Sequence, residues 1–499
     1  MNELYYGDCL DILQELHKEH PNGFIDLIYI DPPFNSKRDY NILFESIDFS
    51  DSTAQKQAFA DTWSNISYLD SLGQIQELNL NLYKLLKTLD NVNISKSAVS
   101  YLTTMAHRII YMHKVLKDTG SFYLHCDPFM SHYLKMVCDL IFGQKHFRRE
   151  IIWSLNTSSG FKSQAQNWIR NHDTLLFYTK SEKYVFNKQH LPYTPEYLTR
   201  FKKIDEDGRR FRDDRSSGRK QYLDETEGVA IGDVWSDVMS FQQASTIKEY
   251  MGYPTQKPES LLERIINASS KKGDLVADFF CGCGTSISVA QKLKRHWLGV
   301  DISHLAVKLI VNRLTKDLNK NRTATLLENI EVKGMPKDIA SARELANSPK
   351  GRFSFQDWII EVMLDGVCNP KKTGDGGYDG YITFQKPNKE KGIILIEVKS
   401  GKVNVKNIRE FIQVAAKQEA DIGVFVCFEE TVTKEMLRES KLQGYFMNDH
   451  FPGSYPKLQI ISVEQLLNGE EIKMPNIALT TFKPSLNGKV KEPEIGYLF

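Results

Sequence analysis

GFIDLIYIDPPF, residues 23–34, is the stretch on which the fold turns. Phe24 to Ile30 is almost wholly apolar. That is the pattern of a strand covered on both faces, as in a parallel sheet, and not the alternation of a half-exposed one. Two prolines end it abruptly, since each fixes φ and removes a backbone donor. Asp31 is thereby left in a rigid turn at the carboxyl end of a buried strand, and ligands of open α/β sheets sit beyond such ends. Taken alone, a DPP turn is as readily a plain strand exit; its place in the chain has to decide.

Moving outward, helix and strand patterns alternate. A helix is expected over 95–116, a strand over 120–127, a helix over 132–142, and strands over 150–154 and 174–179. Between about Lys180 and Tyr250 the pattern gives way to charged, aromatic and glycine-containing sequence, read as an inserted recognition region. Order returns with a helix over 259–270, a strand over 275–279, a CGCGT loop, a helix over 286–293, a strand over 297–300 and a helix over 303–318. Such alternation predicts an α/β fold with a doubly wound sheet. A polar connector leads to a second, smaller α/β unit, with strands expected near 379–384, 392–399 and 422–428 and helices over 355–364 and 408–416. The expected division is 1–181 and 250–318 as two parts of one catalytic domain, 182–249 as the insertion, 319–351 as connector, 352–473 as the second unit and 474–499 as an irregular tail.

Composition limits the alternatives. At 499 residues the chain exceeds one compact core. No apolar run approaches the roughly 20 residues that cross a bilayer, and MNELYYGD lacks a signal peptide's apolar centre, so a cytoplasmic, membrane-free protein is expected. Seven scattered cysteines argue against a disulfide framework, and Cys281 and Cys283, two apart in a glycine turn, read as small packed residues rather than zinc ligands. A net charge of +1 is uninformative, but Arg200 to Lys220 carries nine Lys or Arg against five acids, a candidate phosphate-contacting surface.

DLVADFFCGCGTSISVAQKL, from Asp274, places Gly282 and Gly284 at a strand-to-helix turn, where backbone can approach a ligand closely. Asp301 ends the next strand 23 residues after Asp278, about where doubly wound folds keep the acid that accepts ribose hydroxyls. By itself such a loop serves nucleotides and flavins equally well. The DPPF turn suggests a chemistry. Methylating an exocyclic base amine requires its lone pair, delocalised into the ring, to be turned toward a methyl donor. The Asp31 carboxylate and Pro32 carbonyl could accept both amine hydrogens, Pro33 stiffens the turn, and Phe34 offers a face on which an extruded base can stack.

With these pieces in order, the chain resembles the β group of DNA amino-methyltransferases, in which the catalytic motif precedes the recognition region and the cofactor motif comes last. The resemblance covers roughly residues 1–318 and rests on YYGDCLDIL, LIYIDPPFNSKRDY, GSFYLHCDP, HDTLLFYTKS, YPTQKP, DFFCGCGT and LGVDIS. It implies S-adenosylmethionine as cofactor, with Asp8 near its adenine, Asp301 at its ribose, Thr255 and Lys257 at its amino-acid end, and Asp278, Phe280, Gly282, Gly284 and Thr285 along its methionine portion. Phe279 and Cys283 stand where many relatives have proline and serine. Family habit associates Asp-Pro-Pro-aromatic with adenine N6 and Ser-Pro-Pro with cytosine N4, so adenine is the expected target and cytosine N4 the alternative. Methylation of RNA or protein is a further alternative, against which the basic insertion argues.

In the second unit Asp379 opens a strand, and Glu397 and Lys399 lie two apart on the next, hence on one face. Two carboxylates there could hold Mg²⁺ while the lysine steadies phosphate charge. An ordinary solvent-facing ExK pair is the plainer reading. With Glu361 on the preceding helix, the order resembles Mrr-like PD-(D/E)xK restriction nucleases over about 352–467, without the usual proline. That likeness implies a fused endonuclease with Asp379 and Glu397 as metal ligands; a fold relative that only binds DNA is the competing expectation. Double-stranded DNA is the expected partner in a restriction-modification or defence setting, with a homodimer and a separate restriction subunit left open.

Overall fold

The computed structural model describes residues 2–33, 65–92, 95–155, 166–213, 218–225, 227–241, 249–251, 253, 255–316, 330–348, 351–369, 376–386, 391–447 and 453–475. Phe34, much of the connector (317–329) and most of the tail lie outside them.

The first unit is carried by strands β1 (Asn2–Tyr6), β2 (Ile25–Ile30), β3 (Leu116–Cys126), β4 (Phe147–Ser154), β5 (His172–Thr179), β6 (Val234–Trp235), β7 (Leu275–Asp278), β8 (His296–Asp301) and β9 (Glu331–Lys333). They form one nine-stranded sheet in the order β6-β4-β5-β3-β2-β7-β8-β1-β9. From β3 through β2, β7, β8 and β1 to β9 every pairing is parallel, whereas β5 runs antiparallel to both β3 and β4. Parallel neighbours share one carboxyl edge, so the ends of β3, β2, β7, β8 and β1 line up there. The antiparallel β5 adds its amino end to the same edge.

Helices cover both faces, as the near-continuous apolar run in β2 requires. Ile28 and Ile30 enter a core with Leu13 of α1 (Cys9–Glu19) and Leu102 and Met105 of the helix Lys96–Val115. Leu27 and Tyr29 enter the opposite core with Leu261 and Ile265 of the helix Glu259–Ser269. Successive side chains of a strand point to opposite faces, and here both faces are dry. Between the catalytic turn and residue 95 the sequence suggests no element, yet α2 (Asn65–Leu78) and α3 (Leu80–Asn91) pack there. The apolar residues of α2 are only loosely periodic and Gly73 interrupts it, which hides it from pattern reading. The helices already cited are α4 (Lys96–Val115) and, after α5 (Ser131–Phe142), α6 (Glu259–Ser269); α7 (Thr285–Lys292) and α8 (His304–Thr315) complete the unit.

The stretch read as an insertion holds a small antiparallel sheet of Lys203–Ile204, Arg210–Asp213 and Lys220–Tyr222, and it returns β6 to the main sheet beside Ile152 and Trp153. Beyond β9 comes the second unit: α9 (Ile339–Asn347), α10 (Gly351–Asp357) running into a π-helical turn (Trp358–Met363), then β10 (Val367–Cys368), β11 (Gly380–Gln385), β12 (Lys391–Val398), α11 (Val405–Lys417), β13 (Ile422–Cys427), α12 (Lys434–Leu442), β14 (Leu458–Ser462) and α13 (Val463–Leu467). Its five strands lie in sequence order, with β10, β11 and β12 antiparallel and β12, β13 and β14 parallel. The seven cysteines are buried free thiols, and among the described residues no helix is long and apolar enough to cross a membrane.

One glycine ties the cofactor-type loop to the core. Gly284 has φ +73° and stands directly before α7; a Cβ there would lie 2.5 Å from Ile310 Cγ1 of α8. Gly284→Ala is therefore expected to lower unfolding stability by about 1–3 kcal/mol through overpacking and positive-φ strain. Urea titration measures it, and an unchanged midpoint would contradict the close approach.

Candidate active site at the carboxyl edge of the sheet

Four carboxylates gather where the parallel strands end. Asp31 follows β2, Asp278 ends β7, Asp301 ends β8, and Asp8 follows β1 after Gly7. The glycine loop links two of them. Phe280 N–H donates to Asp278 Oδ1 at 3.0 Å, and Gly282 N–H, at φ +49°, donates to Asp301 Oδ2 at 2.8 Å. A Cβ on Gly282 would meet the Tyr253 ring at 3.3 Å, so the YPTQKP segment lies over the loop. Ser286 Oγ, in the first turn of α7, donates to Asp278 Oδ2. Thr285 is buried and receives Arg313 Nη1 of α8 at 3.1 Å; Arg313 also donates to Glu259 at 3.0 Å.

Burial dominates the electrostatics. It pushes the Asp278 carboxyl up to about 7, with the negative charges of Asp31 and Asp301 adding to the rise against the donors Ser286 and Phe280. It pushes Asp301 up to about 6 despite backbone donors from Ser303, Gly282 and Ile302.

The structure brings Asp31, Asp278, Asp301 and the glycine loop together, and it gives two residues surroundings the sequence did not suggest. Lys257 Nζ pairs with Asp31 Oδ2, so it reaches the DPP turn, while Thr255 is exposed and offers its carbonyl to the same amine at 3.4 Å. Asp8 caps α1 through Leu10 N–H at 2.8 Å, and both its carboxylate oxygens accept from a single nitrogen, Nη2, of the buried Arg108 of α4 at 2.8 Å. Gln256 ties the YPTQKP segment by donating to Glu249 O at 2.7 Å and accepting from Met251 N at 2.8 Å.

Sequence reasoning also missed a buried polar chain. Tyr29 Oη lies 3.0 Å from His125 Nδ1, His125 Nε2 lies 3.3 Å from Asp173 Oδ2, and Arg170 donates to Asp173 Oδ1. HCD and HD were visible as motif letters, but nothing in them says that β3 and β5 put both beside Tyr29.

In the recognition region, rings and cations interleave. Tyr193 stacks on Tyr197 with centroids 4.5 Å apart, and the guanidiniums of Arg200 and Arg212 lie 4.7 Å and 5.1 Å from the Tyr197 ring. Arg209 is spoken for by Asp224 and Glu225, and Lys203 by Asp213, so part of the expected positive excess is neutralised within the region.

In the second unit, Asp379 accepts Gln356 Nε2 on Oδ1 at 2.9 Å and Val398 N–H on Oδ2 at 2.7 Å, while Lys399 pairs with Glu397. Glu361 lies in the π-helical turn that faces the first unit. There burial, followed by the charges of Asp357 and Glu361, raises the Tyr6 phenol above its usual range. Among the described residues, no three His, Cys, Asp or Glu side chains gather as metal ligands, so these contacts do not support Mg²⁺.

A Rossmann-like sheet thus carries the DPP turn and the glycine loop at one carboxyl edge. The chain matches the DNA methylase family over residues 25–312, more than half its length, and belongs to that family. Residues 355–468 match a second model, described as NACHT-associated inactive Restriction Endonuclease 1. The chain is 28% identical over 265 residues to Type II methyltransferase M.EcaI of Enterobacter cloacae, covering 43% of this chain and 57% of that protein. It is 26% identical over 312 residues to DNA adenine methyltransferase YhdJ of Escherichia coli strain K12, covering 62% and 82%. Among solved structures, the M1.HpyAVI–SAM complex aligns with a TM-score of 0.35 and 17% identity, covering 63% of this chain and 100% of that one. The chain thus spans less than two thirds of M.EcaI's length.

Asp278→Asn tests the buried carboxylate. The folded carboxyl sits at about 7, and an unfolded one near about 4, so the wild type loses stability as pH rises between those values. Asparagine has no proton to lose. In cofactor-free protein, the variant's melting temperature relative to wild type is expected to be higher at about pH 8 than at about pH 5. An offset equal at both, by scanning calorimetry, would count against the raised pKa.

Proposed function

We propose that this chain is an S-adenosylmethionine-dependent DNA methyltransferase of a restriction-modification type, acting on the N6 amine of adenine. One observation carries the reading: the DPP turn with Asp31 and the glycine loop tied to Asp278 and Asp301 lie at a single carboxyl edge of the parallel sheet. S-adenosylmethionine, when bound, would supply an electrophilic sulfonium methyl. Gly282 would let the backbone approach it, Asp301 would accept its ribose hydroxyls, and Asp278 and the loop after it would line the methionine portion.

The chain's own part in transfer lies at the DPP turn. With Lys257 on Oδ2, Asp31 offers Oδ1 to one amine hydrogen and the Pro32 carbonyl can take the other. The lone pair is then turned out of conjugation toward the methyl group. As the N–C bond forms the S–C bond breaks, and one amine hydrogen leaves as a proton. The base must be extruded first, at a cost of a few kcal/mol. The ring–cation cluster at Tyr193, Tyr197, Arg200 and Arg212 supports contact with nucleic acid.

Adenine is favoured over cytosine N4 by the Asp-Pro-Pro turn and by the name of the YhdJ relative. Strand-resolved sequencing of DNA from cells carrying the full chain, beside an Asp31→Ala control, checks it. Methylated adenine at one recurrent motif is expected, and purified Asp31→Ala should lose about 100-fold or more of its transfer rate. Modified cytosine without modified adenine overturns the adenine assignment, and no modified base overturns the reading.

The second unit is proposed to bind DNA or a partner without cutting. The Asp379 carboxylate, held by Gln356 and Val398, and the inactive character of the matched family support this over the fused endonuclease. Unmethylated supercoiled plasmid incubated with the protein and Mg²⁺ should stay intact; linearisation that Asp379→Ala abolishes would reverse the proposal.

A further inference from the structure

Beneath the DPP turn lies a row of polar side chains that the methyl-transfer reading leaves without a task. Tyr29 is 2% exposed, His125 is fully buried and Asp173 is 6% exposed. An apolar filling would be simpler at such a depth, since each buried polar group must find a partner or cost about 1–3 kcal/mol. These three find one another across three adjacent strands, β2, β3 and β5, with Trp153 of β4 edge-on to the His125 ring at 5.7 Å.

Burial first, and then the charges of Asp31, Asp278 and Asp173, hold the Tyr29 phenol well above its ordinary range, so it keeps its proton. His125 bridges the row, with Nδ1 facing Tyr29 Oη and Nε2 donating to the Asp173 carboxylate. Burial alone would raise the Asp173 carboxyl, but the His125 hydrogen bond and the charge of that ring, then the charges of Lys257 and Arg170, hold it well below the usual carboxylate range. Asp173 is thus held as a buried anion, while Lys257 pairs with Asp31 Oδ2.

We propose that Tyr29, His125 and Asp173 form a positioning chain for the methyl-transfer site. The row holds β2, β3 and β5 together directly beneath the DPP turn, with Asp173 fixed by His125 and Arg170. None of the three touches a substrate atom; they act by holding that turn, and with it the Asp31 carboxylate that Lys257 grips. Side chains two apart on a strand share a face, so Tyr29 also ties the end of β2, two residues before Asp31, to β3. The charged and titratable groups around Asp173 are His125 and Asp127 from β3 and the turn after it, Arg170 from the loop before β5, and Lys257 from the YPTQKP segment.

The inference rests on the methyltransferase reading, and the test separates the two. Full-length wild type, Asp173→Asn, His125→Gln and Tyr29→Phe are assayed for transfer of tritiated methyl from S-adenosylmethionine to unmethylated bacterial DNA. kcat, both KM values, melting temperature and the pH profile of kcat are recorded. Asp173→Asn is expected to lower kcat by about 10- to 100-fold with both KM values within about threefold, because geometry at the reacting centre is lost and binding is not. In His125→Gln, Asp173 stays buried but loses its ring donor, so it takes up a proton at higher pH. The acid limb of the kcat profile should then move upward from wild type, a shift that a merely structural role would not produce. Tyr29→Phe should fall between wild type and His125→Gln. If Asp173→Asn does not fold, the other two variants still decide. An Asp173→Asn kcat within about twofold of wild type, or a His125→Gln pH profile that superimposes on wild type, overturns the positioning chain alone. Absence of transfer by the wild type overturns the underlying reading and the inference with it.

Discussion

The seam between Leu27–Ile28 of β2 and Val276–Ala277 of β7 is the constraint on which the rest depends. It joins two stretches nearly 250 residues apart, and Asp26 locks it by accepting Leu275 N–H at 2.9 Å while paired with Lys117. Because the pairing is parallel, it carries Asp31 and Asp278 to the same edge, and β8 and β1 add Asp301 and Asp8. Antiparallel pairing would have sent one carboxylate to the far end. The loop-closure entropy of so long a separation grows only logarithmically, so both faces of buried apolar side chains can offset it.

Once the seam is made, electrostatics governs the edge. Burial raises the Asp278 and Asp301 carboxyls, which accept from backbone N–H groups and the Ser286 hydroxyl. Asp31 and Asp173 instead have basic partners, Lys257 and Arg170 respectively. Acids of one chemical type are thus set apart by what surrounds them. Arg108 does the same for Asp8, and its burial in α4 makes the amino end of α1 a fixed point rather than a loose loop.

The second unit is built on a mixed five-stranded sheet of its own. Gln356 and Val398 hold the Asp379 carboxylate as a structural hub between α10, β11 and β12. Glu361, placed in a π-helical turn, looks to Tyr6 of the first unit. Lys308 of α8 pairs with Asp365 just after that turn, so the two units meet on the side of the sheet that ends in Asp8 and Asp301.

The apolar run before Asp31, the glycine spacing after Asp278 and the order of the two motifs were local properties, and local properties are legible: strand burial, proline rigidity and turn chemistry act over a few residues. That much established the α/β fold, the family likeness and the candidate carboxylates. The helices over 65–91 escaped because weak periodicity carries little signal without the core they pack on. Lys257 on Asp31, Arg108 on Asp8, and Tyr29 on His125 and Asp173 could not be read from the chain. Each pair is separated by tens to hundreds of residues and is created only by strand register and helix packing. In the second unit, likewise, spacing along a strand says that Glu397 and Lys399 share a face, but only the packed helix brings Gln356 to the Asp379 carboxylate.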